Sequence, residues 1–463
     1  MDSMHPYQAL CKVSPAGEDE ILVAACGPNL ISARLGTANG PHHVISRWPA
    51  SPASDQSTSN GAEPQNKKRK LEQTSHTQHD VTLLTPAPDQ QHIVAVTGVD
   101  KCIRVFSLVE GVLVELSQRC MLKRPCAIQI TDDSETIICG DKFGDVYSLP
   151  LHPPANDTNG GTNGAETAQA QIPVGQRVYE PTATELTVHT KRNLKALQEQ
   201  LKAKGKLIKS TREPSAFEHR LLLGHVSMLT DMQLVTVEAA DKPRRYIITC
   251  DRDEHIRISR GIPQTHITES YCLGHTEFVH RIRRIPGSRL LVSGGGDNWL
   301  GVWDWTTGQL LARKDLQLVR GGQEDNRKPI AVSNIWTISI GDSSLVLIAC
   351  EGVDALAYID ASDLESLEGK ISVVDTWERG HIFDIVDVGS GYFMVSSHRK
   401  RLEQWQAVQD GTQWALRSDT DASTKYEELN SVNVPAPEQV NLDGLLHGVE
   451  RLRKRENEAE QDE

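Results

Sequence analysis

The sequence predicts an all-β fold, a seven-bladed β-propeller, and three observations predict it. A strand–tight turn–strand pattern returns seven times, at 21–35, 92–106, 136–149, 246–259, 289–305, 345–360 and 392–405. Four copies align on a turn aspartate, Asp100, Asp141, Asp253 or Asp297, followed at the sixth position by Phe106, Tyr147, Ser259 or Trp303. And one hairpin cannot bury both of its faces, whereas a ring of stacked sheets can, so repeats of this size and kind read as blades.

The length of 463 residues would allow two or three average domains, but the repetition places residues 1–440 in one large ring with a charged tail at 441–463. Ring closure is expected from an N-terminal strand at about 6–13 lying beside the C-terminal strands 392–405 and 414–418, which seals an edge that would otherwise template aggregation. The start, 1–10, has neither the basic opening nor the apolar stretch of a secretory signal, and no apolar run is long enough to span a bilayer, so no membrane partner is expected.

The first hairpin gives way to a polar stretch at 48–82, rich in Ser, Pro, Asn, Gln and His, which cannot bury enough surface to offset its ordering entropy and reads as a disordered loop. Inside it Lys67, Lys68, Arg69 and Lys70 form a run of cations with the composition of a nuclear import signal or of an RNA-contacting patch, and a nuclear location is expected. A second insertion covers about 152–216. Its first half is Asn/Thr/Gly/Ala-rich and reads as disordered; in its second half Leu194, Leu197 and Leu201 recur at helical spacing among lysines, the pattern of a short basic amphipathic helix at 189–208. The tail carries Arg451–Arg455 followed by acidic residues and reads as a charged helix that frays.

Nine cysteines are scattered, most of them in strands (Cys26, Cys102, Cys139, Cys250, Cys350), and the expected state is the buried free thiol. No C-x-x-C pair exists, and His76 and His79 lack further ligands, so no metal site is expected. There is no phosphate-binding loop and no nucleophile elbow; Gly294-Gly295-Gly296 lies between two strands rather than between a strand and a helix, so it fails the context a dinucleotide loop requires. No catalytic constellation and no cofactor site are therefore assigned. The formal net charge of −13 disfavours autonomous nucleic-acid binding, which draws its affinity from phosphate neutralisation, and favours a protein partner.

Two repeats carry a fuller signature. Gly224-His225 and Gly274-His275 each open one, and the second closes with Val302-Trp303-Asp304, the Gly-His…Trp-Asp pattern of WD repeats. In that blade His275, Ser293, Asp297 and Trp303 are expected to satisfy one another in a buried polar network, a structural role rather than a catalytic one. The turn Asp251, Arg252, Asp253, Glu254 and His255 is denser in charge than a blade needs, and the strand after it sends Ile256 and Ile258 to one face and Arg257 and Ser259 to the other. A cluster of both signs at a rim suits an electrostatically complementary interface.

The blocks at 224–231, 251–259 and 274–279, within about 221–305, resemble the WD-repeat, non-catalytic subunit of the eukaryotic tRNA (guanine-N(7)-)-methyltransferase. The resemblance implies a heterodimer in which a separate Rossmann-like subunit holds S-adenosylmethionine and methylates a guanine of tRNA to 7-methylguanosine, while the propeller stabilises and poses that subunit. It further implies that Arg257 pairs with an acidic residue of the catalytic subunit, with Asp251–His255 around it, and it leaves open how far tRNA is contacted through the complex. The competing reading is a WD-repeat adaptor of a ubiquitin ligase or chromatin complex, since propellers host many unrelated roles. Against one common docking cue of such adaptors, Trp303-Asp304-Trp305-Thr306 has no arginine two places after the aspartate.

Overall fold

The computed structural model describes residues 5–17, 19–36, 41–49, 79–152, 195, 217–238, 242–316, 330–366, 368–411, 413–419, 421–432, 434 and 448–454. Seven four-stranded antiparallel sheets, each built from four consecutive strands, form the blades of a β-propeller. Blade 1 is β1 (Tyr7–Val13), β2 (Ile21–Cys26), β3 (Asn29–Arg34) and β4 (His43–Trp48). Blade 2 is β5 (Val81–Pro86), β6 (His92–Thr97), β7 (Cys102–Val109) and β8 (Val112–Cys120). Blade 3 is β9 (Pro125–Ile130), β10 (Thr136–Asp141), β11 (Asp145–Pro150) and β12 (Arg220–Gly224). Blade 4 is β13 (Leu229–Val237), β14 (Arg244–Asp251), β15 (Ile256–Arg260) and β16 (Thr268–Cys272). Blade 5 is β17 (Val279–Arg284), β18 (Leu290–Gly295), β19 (Trp299–Asp304) and β20 (Gln309–Asp315). Blade 6 is β21 (Val332–Ile340), β22 (Ser343–Cys350), β23 (Ala355–Asp360) and β24 (Ser372–Asp375). Blade 7 is β25 (Ile382–Gly389), β26 (Tyr392–Ser397), β27 (Arg401–Asp410) and β28 (Gln413–Ser418).

The seven hairpins read from the sequence are the second and third strands of the seven blades. The second strands lie between two neighbouring blades, which explains why they read as unbroken apolar runs: every residue of β2 and of β18 is buried. Outer strands meet solvent on one side and alternate instead, as β16 does. The seventh repeat forms a hairpin although Arg399 stands where the turn aspartate would, and the sixth does so with its turn aspartate, Asp354, out of line with the other four. Apolar side chains of adjacent blades interleave around the ring; Val292, Val302, Val346 and Ile348 pack blade 5 on blade 6, and Leu347, Phe393 and Trp405 pack blade 6 on blade 7.

One irregularity recurs in all seven blades. Near the start of each inner strand the register slips by one residue, and the extra residue is Gln8, Thr82, Cys126, Thr230, His280, Ser333 or Phe383. A bulge raises local twist and re-aims side chains, and in three blades it aims the extra residue at the next blade. Gln8 Nε2 donates to Val81 O at 3.0 Å, Cys126 Sγ to Leu229 O at 3.2 Å and Thr230 Oγ1 to Val279 O at 2.6 Å. The close approach also explains a glycine: a Cβ on Gly295 would stand 1.8 Å from Phe278 O.

Closure differs from the expectation. The N-terminal strand does not join the C-terminal strands: β1 pairs only with β2, and β28 only with β27. Blade 7 already draws four strands from 382–418, so no place is vacant for another. The ring instead closes by lateral packing. Leu22, Ile31, Met394 and Leu402 share one apolar cluster, Leu10 N–H donates to Asp384 Oδ2 at 2.7 Å, and Ser396 Oγ donates to Tyr7 O.

A segment after the last blade clasps this seam. It contains a short helix, α1 (Glu427–Ser431), and is anchored at both blades. Tyr7 Oη donates to Leu429 O at 2.6 Å, Arg401 Nη1 to Asn430 O at 2.8 Å and to Val432 O at 2.9 Å, and Tyr426 packs edge-on against His42 with ring centroids 4.6 Å apart. Tyr426 is 1% exposed. Tyr426→Ala should therefore cost about 3–5 kcal/mol in chemical denaturation, as other buried aromatic truncations do, whereas Glu428→Ala on the exposed side should cost under about 1 kcal/mol; equal losses would show that the clasp carries no closure energy. Burial pulls the His42 pKa down to about 4, and Lys425 and His43 add to the shift. Its Nδ1 accepts from Gly36 N–H, so the ring is held neutral. The unfolded chain then binds a proton that the folded one resists, and stability should fall as pH drops from about 6.5 toward 4. His42→Gln should flatten that part of a denaturation-midpoint profile.

Cys102 and Cys120 face each other across β7 and β8 with Cα atoms 3.9 Å apart and are disulfide-bonded, which corrects the reading of all nine cysteines as free thiols. Seven are free, and six of those are buried. The propeller takes in the chain up to His152 and from Glu218 onward; Pro153–Phe217 is a separate unit. Apart from the helical Lys195, the amphipathic helix expected there lies outside the described residues, as do the 50–78 stretch of the first insertion and the Lys67–Lys70 run.

Candidate partner-binding rim

Blade 5 shows what the polar network does. His275 Nδ1 lies 2.7 Å from Asp297 Oδ2 and its Nε2 lies 2.6 Å from Ser293 Oγ, which also accepts from Trp303 Nε1 at 2.7 Å. All four residues are buried, and the His275 ring stacks on Trp299 at 4.5 Å. Burial pulls the Asp297 carboxyl upward, but hydrogen bonds from His275 and Thr276 outweigh it and hold the pKa below the ordinary range. Opposite Ser293 stands Gly301, where a Cβ would come within 2.5 Å of the Trp303 indole nitrogen.

Blade 4 builds the same network with different parts. His225 Nδ1 lies 2.9 Å from Asp251 Oδ2, and Nε2 lies 2.7 Å from Thr249 Oγ1. Strand register makes Thr249 the counterpart of Ser293, Arg257 that of Gly301, and Ser259 that of Trp303. The aspartate used by the histidine is thus Asp251, two residues earlier than the position of Asp297. It also shares its place with Asp141, so the sequence alignment of Asp141 with Asp253 is two residues out. Asp251 is 4% exposed and its Oδ1 accepts from the Asp253 and His255 amides. Burial raises its pKa, but His225 and the His255 amide lower it further. Asp251 therefore holds the turn rather than presenting charge at the rim.

Ser259 supplies no indole, and Arg257 occupies the position opposite Thr249. Ile256 and Ile258 enter the core shared with blade 5. Arg257 is half-buried; its Nη1 donates to Gly224 O at 3.1 Å, and its Nε is buried without a hydrogen-bond partner among the described residues. It lines a cleft of about 350 Å³ together with Asp253, His255, Val226, Tyr271 and Leu273. Val226 and Leu273 are strongly exposed and Tyr271 is 45% exposed. These three apolar residues were not singled out from the sequence. The alternation of Tyr271 and Leu273 was the available signal, but only the fold places them beside Arg257.

The rest of the turn meets the segment 448–454. Of the tail, residues 448–454 form a single 3-10 turn (Glu450–Leu452) docked on the propeller where a charged helix was expected; the rest of 441–463 lies outside the described residues. Arg252 Nε donates to Leu452 O at 2.7 Å. Lys454 Nζ lies 2.8 Å from Glu254 and 3.3 Å from Asp253, and the Glu254 hydrogen bond raises the lysine pKa. His255 remains exposed, its ring edge-on to Tyr271. No cluster of three or more His, Cys, Asp and Glu side chains able to hold a metal occurs among the described residues.

Residues 22–415 match a family profile described as "tRNA methyltransferase TRM82 WD40 domain". The chain is 40% identical to the tRNA (guanine-N(7)-)-methyltransferase non-catalytic subunit TRM82 of Phaeosphaeria nodorum, over 97% of this chain and 98% of that protein. It is 37% identical to the protein of the same name from Coccidioides immitis, over 94% and 95% of the two chains. Against the Aspergillus oryzae protein of that name the identity is 41%, over 77% and 75%.

Proposed function

Since this chain belongs to the TRM82 family of WD-repeat, non-catalytic subunits of tRNA (guanine-N(7)-)-methyltransferase, we propose that it is the scaffold of a heterodimer and that the rim of blade 4 grips the catalytic subunit. The partner holds S-adenosylmethionine and transfers the methyl group to a guanine of tRNA; this chain holds the partner in its productive state, an effect on affinity and population rather than on chemistry. The observation that carries the reading is Arg257. Its guanidinium is fixed by Gly224 O, keeps a desolvated Nε donor, and sits in a cleft edged by Val226, Tyr271 and Leu273. A planar cation in such surroundings suits a carboxylate, because charge-assisted hydrogen bonds gain strength as water is excluded.

The acidic overall balance supports tRNA contact chiefly through the partner, and the Lys67-Lys68-Arg69-Lys70 run supports a nuclear location. The test is reconstitution of methyl transfer from S-adenosylmethionine to tRNA with the catalytic subunit alone, this chain alone, and both. Activity should require both. Full activity of the catalytic subunit without this chain, or any turnover by this chain by itself, would reject the proposal.

A further inference from the structure

We propose that the C-terminal segment 448–454 is a latch that sets the shape and charge of the blade 4 rim, so that an acidic partner is accepted at Arg257. This inference rests on the partner reading above for its charge effect but not for its structural part.

The segment joins three blades. The Val449 and Glu450 amides donate to the two carboxylate oxygens of Glu351, at 3.2 and 2.6 Å, and Glu351 of blade 6 is 1% exposed. Arg453 is the central anchor. Its Nη2 donates to Gly296 O at 2.7 Å and to Ile330 O at 3.0 Å, its Nη1 lies 3.2 Å from Glu277, and the guanidinium stands 5.6 Å from the centre of the Phe278 ring. A guanidinium with two carbonyls, a carboxylate and an aromatic face occupies a built pocket, not a passing surface contact. Arg252 of blade 4 then donates to the Leu452 and Arg453 carbonyls, so the turn 251–255 is tied to the anchor through main-chain atoms.

The charge consequence follows from Lys454. Asp253 lines the Arg257 cleft, and Glu254 follows it in the chain. An incoming carboxylate would meet both charges as like charge, which opposes docking. Lys454 bridges the two carboxylates and offsets that repulsion while leaving Arg257 as the cation facing the cleft.

Two measurements on the full-length chain separate the parts. In the chain alone, Arg453→Ala should speed amide hydrogen exchange at 251–255 and 296–298 while the outer strands of blade 2 stay unchanged; unaltered exchange at both turns would overturn the latch whatever the partner does. In the complex, Lys454→Glu should weaken affinity for the catalytic subunit by about tenfold at low salt, with a smaller effect at high salt, and the loss should shrink in an Asp253→Asn, Glu254→Gln background. Tighter binding by Lys454→Glu would make the segment a competitor and overturn the charge role. Failure of the unmutated chain to bind the catalytic subunit would instead strike the partner reading, and the charge role with it, while the exchange result would still decide the latch.

Discussion

An Arg257→Leu chain is expected to purify folded, with an unchanged denaturation midpoint to within about 1 kcal/mol, and to lose the catalytic subunit in co-purification. The fold loses one partly exposed hydrogen bond, to Gly224 O, worth about 1 kcal/mol. The proposed interface loses one side of a desolvated ion pair. Removing a single partner from such a pair costs about 2–5 kcal/mol, much of it because the other charge stays buried, which is a factor of about 30 or more in affinity. The second effect dominates the first. Arg257→Lys should fall between the two, since an ammonium keeps the charge but cannot present a planar fork to a carboxylate and a carbonyl together. If the Arg257→Leu complex survives high salt as the unmutated one does, Arg257 is not the contact.

A loss of stability as large as that of Tyr426→Ala is expected from His275→Ala in blade 5. The substitution removes one partner of Asp297, a side chain 3% exposed, and one of Ser293, which is fully buried. It also opens a cavity beside Trp299 and Trp303. Breaking a buried charged or polar pair from one side costs about 3–5 kcal/mol, a large part of the 5–15 kcal/mol by which domains are ordinarily stable. His225→Ala in blade 4 removes the equivalent ring, and it should additionally loosen the 251–255 turn and so weaken partner binding. His275→Ala should spare affinity in whatever fraction remains folded. Denaturation midpoints and binding constants measured on both variants would separate the two effects; matching affinity losses would mean that the blade 4 network has no special link to the rim.

The seven hairpins were legible because each second strand is sandwiched between blades and has to carry a run of apolar, buried residues. The blade 5 network was legible because its four members keep the spacing that the geometry needs. Its relative in blade 4 was not. There the aspartate sits two residues earlier, and Ser259 replaces the tryptophan, so spacing alone pointed to Asp253 instead of Asp251. The bulges left no sequence mark at all, since residues as different as Gln8, Thr230 and Phe383 occupy them.

What the chain's local order determined was the blade: apolar runs, tight turns and the Gly-His…Trp-Asp spacing all act over a few residues, within reach of one hairpin. Closure, the Arg257 cleft and the docking of segment 448–454 were decided only by the tertiary structure. Leu10 meets Asp384, and Lys454 meets Glu254 200 positions away. Such contacts depend on where the ring brings its ends and rims, and no local pattern encodes the distance between residues that only the closed circle makes neighbours.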